Sequence, residues 1–355
     1  MIITIIATII VLGVLIFVHE LGHFLVAKKS KVGVVTFSLG FGPKLLGKKI
    51  GETQYQVSMV PLGGYVKMVG EEPGETIPPE LAAKSFSAQP VSKRLAIVFA
   101  GPFFNFLFAV VAFTILFMVG MPALLPEVGE VSPDYPAYQA GVKKGDRILE
   151  ANGTPIKRWE DLAKMIHESG DRPLLLKLER DKKVLQISVT PQASSQKNIF
   201  GEDVRVGLIG IKPSGATFIE RFDPFTSVYL GVVQSWRWVE LTVVSIVKIF
   251  EGKVSAKTLG GPILIAQLAG QQAKAGVLSL IYFMAIISIN LVILNVLPIP
   301  VLDGGHILLF LIEAVRGKPV SLKLRERAQQ IGVFLIILIM LLVFYNDLSR
   351  IVGTP

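Results

Sequence analysis

Of the 355 residues, 51% are hydrophobic and the mean hydropathy is +0.58. This composition excludes an ordinary soluble domain and points to a bilayer, where a helical span takes about 20 apolar residues. No cysteine is present, so disulfides, thiolate metal ligands and a Cys nucleophile are excluded, and any metal must be held by His, Asp or Glu. The net charge is +9, but the basic residues flank apolar runs instead of forming a stripe with aromatics, so they suit anionic lipid and not nucleic acid.

The first apolar run, about residues 3–25, has no charge before Lys28 outside the pentad His19-Glu20-Leu21-Gly22-His23. It lacks a basic leader and a small-x-small cleavage site, so it is expected to stay as a span and not to be removed as a signal peptide. On a helix, histidines four apart project from one face and can hold zinc through imidazole nitrogen, while Glu20, one position round, is placed to activate water. This is the local pattern of a zinc protease. Histidines that only pack helices are the alternative, but ionisable groups inside a span are costly and by default mark function.

From Lys28 to Arg94 the chain carries ten basic residues against five Glu, which predicts a cytoplasmic segment. Within it, residues 32–68 alternate apolar and polar at Val34 to Leu39, pass through Gly40-Phe41-Gly42-Pro43, and end with Gly63-Gly64-Tyr65-Val66-Lys67-Met68. A β-hairpin or sheet is expected. A second span follows at about 95–120 and contains Gly101-Pro102-Phe103-Phe104-Asn105, with Asn105 expected to bond between helices.

Residues 122–213 are too polar to span and predict short strands around one helix, Trp159 to Ser169. The run from Pro136 to Gly153, with Gly141, Gly145 and Asn152-Gly153 at turn positions, is similar to the core signature of a bacterial PDZ domain. Such domains capture peptide ends by strand addition, holding the terminal carboxylate on backbone amides; a spacer that restricts access is the equal alternative. Val206 to Ile211 is one candidate for the carboxylate loop, and His167 is expected to be a surface or packing residue. Residues 214–275 are amphiphilic, with Trp236, Trp238 and the uncharged stretch Leu259 to Ala273, and predict interfacial or re-entrant helices instead of a fifth span.

A third span at about 276–298 runs into Asn295-Val296-Leu297-Pro298-Ile299-Pro300-Val301-Leu302-Asp303-Gly304-Gly305-His306. Pro298 and Pro300 cannot continue a regular helix, so this stretch should unwind beside protein or water. A catalytic zinc site takes three protein ligands plus a water, and Asp303 and His306 are the candidates for the third. A fourth span is expected at about 329–347. Arg316, Lys318, Lys323, Arg325 and Arg327 precede it and predict a cytoplasmic loop, so both chain ends and the 122–213 domain fall on the opposite side.

Together, H-E-x-x-H in an early span and N-x-x-P-x-P-x-L-D-G in a late one resemble the site-2 protease family of intramembrane zinc metalloproteases. Gly101 to Asn105 and the PDZ signature are similar to its bacterial RseP group of envelope-stress regulators. The resemblance covers nearly the whole chain. It implies a polytopic α-helical membrane protein of about four spans, with a membrane-associated β-loop and one inserted α+β PDZ domain. The expected parts are an N-terminal membrane half (1–121), the PDZ domain (122–213), interfacial helices (214–275) and a C-terminal membrane half (276–355).

It also implies one catalytic zinc ion held by His19, His23 and Asp303, with Glu20 as general base and acid. Substrate backbone would be held by Asn295, Asn290, Pro298, Pro300 and the β-loop at Gly63 and Gly64; interhelical hydrogen bonding is the alternative for both asparagines. Expected substrates are single-span proteins of the bacterial inner membrane already trimmed outside, such as anti-sigma factors. Many relatives carry two tandem PDZ domains, whereas this chain has room for one. Two rival readings are a catalytically inactive scaffold binding partners through its PDZ domain, against which intact Glu20 argues, and a metal transporter, which would spread ionisable groups along a path.

Overall fold

The computed structural model describes residues 1–71 and 76–353, without the side chains of 61 and 62. The chain divides into two compact units: Met1–Leu116 with Pro224–Ile246 and Ser255–Pro355, and Phe117–Asp223 with Val247–Val254.

The first unit opens with helix α1 (Ile2–Lys29), whose near-continuous apolar run ends in Lys28 and Lys29, cations that suit the negative end of a helix dipole. Strands β1 (Val34–Ile50) and β2 (Thr53–Met68) follow as the expected sheet. Residues 34–41 pair on both sides, with 54–57 and with 60–68, while 44–50 pair with 53–58. The order of these runs is therefore 44–50, 53–58, 34–41, 60–68, which leaves residues 60–68 at an edge. Val34, Phe37, Val66 and Met68 bury one face among Ala27, Ile97 and Phe310. Helix α2 (Val91–Val119) carries Pro102 in its interior, which removes one backbone donor from the helix ladder.

The second unit holds strands β3 (Met121–Leu124) and β4 (Val128–Val131), the short helix α3 (Pro136–Gln139), β5 (Arg147–Ala151), β6 (Thr154–Pro155) and helix α4 (Trp159–Ser169), which has the predicted bounds. Strands β7 (Leu174–Arg180), β8 (Lys183–Val189), β9 (Gln192–Lys197), β10 (Asp203–Leu208), β11 (Ile211–Pro213) and β12 (Thr217–Glu220) complete it. A four-stranded antiparallel sheet runs β6-β5-β7-β8, with β10-β9, β11-β4 and β12-β3 as separate pairs. Leu162 and Ile166 of α4 pack on Ile148, Leu174, Leu176 and Leu178.

Asp146, fully buried within the PDZ-like run, accepts two 2.6 Å hydrogen bonds from Arg180 and one from the Lys143 amide. His167 is exposed, as expected. Val206 to Leu208 belong to β10 and pair with β9. Lys248, Asn198 and Lys253 surround the Glu202 carboxyl and hold it down to about 2.

The segment 214–275 differs from its prediction at its start, because β12 pairs with β3 and only residues from 224 onward are helical. Alternation at Thr217–Glu220 is too short to stand out from an amphiphilic background. Helix α5 (Pro224–Phe250) buries Ser227, Gly231 and Ser235 at four-residue spacing and exposes Phe225, Tyr229 and Trp236. Helix α6 (Pro262–Ala275) takes its cap from a distant residue. Asp347 accepts the amides of Gly261, Ile263 and Leu264, three donors that a helix N-terminus cannot satisfy itself.

Helix α7 (Val277–Val296) stops before Pro298, the chain unwinds through 297–302, and α8 (Asp303–Arg316) begins. Helix α9 (Leu322–Val352) extends beyond the predicted 329–347 at both ends. Among the described residues, four helices, α1, α2, α7 and α9, are long and apolar enough to cross a membrane. They correspond to the four predicted spans.

Candidate metal centre

His19 and His23 sit one turn apart on α1, and the start of α8 brings Asp303 to them. The Nε2 atoms of the two histidines are 3.1 Å apart, and Asp303 Oδ2 lies 3.1 Å from that of His19 and 3.6 Å from that of His23. Around a tetrahedral zinc with ligands at about 2.0–2.2 Å, neighbouring ligand atoms stand about 3.3–3.6 Å apart. The triangle therefore fits such an ion.

Two further observations agree with a metal here. Asp303 Oδ2 is buried and accepts no hydrogen bond, a costly state for a carboxylate oxygen unless something else satisfies it. Gly101 of α2 faces the rings: a Cβ there would fall 2.3 Å from His23 Nε2 and 2.7 Å from His19 Cε1. Only a residue without a side chain leaves the histidines this space.

The three groups open on a cavity of about 290 Å³ whose wall also includes Glu20, Tyr65, Val66, Pro300 and His306. Glu20 shares this wall with the three-residue cluster. The edge run 60–68 comes close to it because Gly64 has no side chain; a Cβ there would meet the Glu20 Cγ at 3.2 Å and the Ser38 carbonyl at 2.8 Å. His306, the rival ligand, lines the cavity one turn along α8 but is not part of the three-residue cluster.

The remaining sequence candidates lie outside the cavity wall. Gly63, Pro298 and Asn295 do not line it; Asn295 is half-buried on the last turn of α7. Asn290 accepts a 3.0 Å hydrogen bond from Thr242 of α5, so it stands in the interhelical contact that was its alternative.

Sequence reasoning missed what α2 contributes. Ile97, Gly101 and Asn105 are spaced by four, on the helix face that meets His19 and His23. In the tautomer that leaves Nε2 free for a metal, His23 Nδ1 donates to the Ile97 carbonyl at 2.8 Å. Asn105, fully buried, stands 3.4 Å from His19 Nδ1. The matching four-residue spacings on α1 and α2 were a signal, but nothing in the sequence says that these faces meet.

Also missed was a buried ion pair, Arg94 on α2 with Glu313 on α8, joined by two parallel hydrogen bonds of 2.6 and 3.2 Å while the guanidinium lies 4.8 Å over Phe310. It fastens the helix that carries Asp303. Arg94→Lys keeps the charge but loses the fork and the stacking. It is expected to cost about 2 kcal/mol, seen as a lower unfolding midpoint of the purified protein in detergent; an unchanged midpoint would show that the fork contributes nothing.

The profile of peptidase family M50 matches residues 7–339. This chain belongs to that family. Its relatives include a protein of Rhizobium meliloti designated a zinc metalloprotease, 37% identical over 96% of this chain and 95% of that one. Protease RseP of Yersinia pestis is 32% identical over 97% and 98%, and the regulator of sigma-E protease RseP of Salmonella typhimurium 31% over 97% and 98%. The alignment with the Yersinia relative runs over 446 positions, more than the 355 residues here, so that relative has segments without a counterpart in this M50 chain. Among solved structures, a PDZ domain of the SdrC-like protein from Listeria monocytogenes matches 24% of this chain and 84% of its own length at 23% identity, with a TM-score of 0.21. The M50 chain is a zinc metalloprotease of the site-2 type.

Proposed function

We propose that this protease cleaves peptide bonds within or beside the spans of single-span membrane proteins, using one zinc ion held by His19, His23 and Asp303. The reading rests above all on the meeting of those three ligand atoms beside Glu20 in a bundle of spanning helices. When bound, zinc supplies a Lewis acid that polarises the scissile carbonyl and lowers the pKa of water at the site towards about 7. Glu20 takes the proton of the attacking water and later gives it to the leaving amine.

A substrate helix hides its carbonyls in its own hydrogen bonds and must unwind before it can be cut. The edge run 60–68, with Tyr65 and Val66 at the cavity, is the sheet edge that an extended substrate strand joins. Pro300, on the cavity wall in the unwound 297–302 stretch, suits the opposite flank of that strand, with Asn295 on the last turn of α7 leading into it. Substrates are then spans weak in helix propensity, already trimmed outside, and a membrane-tethered anti-sigma factor has this chemistry. The basic loops put the metal centre towards the cytoplasmic face of a bacterial inner membrane, with both termini and the PDZ-like unit outside. That unit captures a peptide end or excludes bulky proteins.

The test is cleavage of a single-span reporter lacking its outer domain, by purified enzyme in detergent. A zinc chelator is expected to stop cleavage and added zinc to restore it. Cleavage indifferent to chelation would remove the metal centre from the chemistry.

A further inference from the structure

An imidazole that binds metal through Nε2 carries its proton on Nδ1, and that N–H needs an acceptor to hold the ring in place. For His23 the acceptor is the Ile97 carbonyl. For His19 the polar group at Nδ1 is the Asn105 amide, which presents its nitrogen at 3.4 Å. Nitrogen facing nitrogen cannot serve a metal-bound His19, because Nδ1–H would then point at an N–H donor.

We infer that Asn105 is the positioning residue for His19, its amide turned by half a rotation so that Oδ1 accepts the Nδ1–H. The amide oxygen and nitrogen exchange places by that turn alone. Oδ1 makes no hydrogen bond, so nothing but the long contact itself is lost. The helix-packing role is filled by a different part of the residue: the Asn105 backbone carbonyl accepts from Ser288 of α7 at 2.8 Å. That bond fixes α2 against α7 and leaves the side chain to His19. Ile97 and Asn105, two turns apart on α2, thus form matched acceptors for histidines one turn apart on α1, with Gly101 between them.

This inference rests on His19 being a zinc ligand, and the experiment separates the two. Zinc affinity of the full-length protein in detergent is measured by competition with a chelating dye, and the visible spectrum is recorded with Co2+ in place of zinc. The proteins compared are wild type, His19→Ala, Asn105→Leu, Asn105→Ala and Asn105→Asp. Loss of the acceptor in the Leu and Ala variants is expected to weaken zinc by about 10- to 100-fold, with the metal-free unfolding midpoint unchanged in at least one. Asn105→Asp, which keeps an acceptor, is expected to bind zinc within a few-fold of wild type and to retain its Co2+ bands.

Wild-type affinity in both apolar variants, alongside a loss in His19→Ala, would overturn the Asn105 inference alone. So would an Asp variant as weak as Leu. Undiminished zinc binding in His19→Ala would overturn the ligand assignment, and the inference with it.

Discussion

Glu20→Gln is expected to lower kcat/KM for reporter cleavage by about 10⁴-fold, the upper range for removing a general acid–base group, while zinc content stays that of wild type. The amide matches the carboxylate in size and leaves the packing against the Gly64 strand intact, but it cannot take a proton from water. Glu20 stands outside the triangle of His19, His23 and Asp303, so metal binding should survive the change. Reporter cleavage, zinc by atomic absorption and reporter pull-down are measured on one preparation. If activity falls by less than tenfold, Glu20 is not the base. If zinc is lost with the activity, its role is structural, and the scaffold reading would gain only if wild type cut nothing either.

The second large effect is expected at a residue with no side chain. Gly101→Ala places a methyl carbon 2.3 Å from His23 Nε2 and 2.7 Å from His19 Cε1, far inside van der Waals contact. The α2 backbone is held on both sides of this point, by the Arg94–Glu313 pair and by the bond from Ser288 to the Asn105 carbonyl. The rings must therefore yield. They can turn away without unfolding the bundle, so the variant should purify as a folded protein with zinc affinity reduced by about 100-fold or more, the upper range for disturbing the surroundings of metal ligands. Activity should follow the metal and return in part at high zinc. A Gly101→Ala enzyme with normal zinc affinity would show that the histidines move apart when loaded, and that the tight fit is no requirement of the site.

These two positions mark how far the sequence could be read. His19, Glu20 and His23 were legible because helix geometry alone puts residues four apart on one face, whatever surrounds the helix. The four spans were legible because lipid offers no partner for backbone polar groups, so each crossing must be a continuous apolar helix. The break at Pro298 and Pro300 followed from proline's missing N–H. Asp303 was different: spacing left it level with His306, and it was preferred through the family resemblance. The fold separates them, since the first turn of α8 brings Asp303 to the histidines and leaves His306 on the cavity wall. The order of runs in the β1–β2 sheet, strand β12, the Asn290–Thr242 bond and the Asp347 cap on α6 were likewise invisible.

The sequence by itself therefore determined that the chain is a membrane protein of four spans with a zinc-type pentad in the first, because those properties follow from local periodicity and from the bilayer's demand on each segment. Tertiary structure alone decided which carboxylate meets the two histidines, why residue 101 has no side chain, and what stands at the outer nitrogens of the histidines. Those outcomes depend on contacts between residues from 74 positions apart (His23 and Ile97) to 284 apart (His19 and Asp303, 303 − 19), and no local pattern encodes which helix faces will meet.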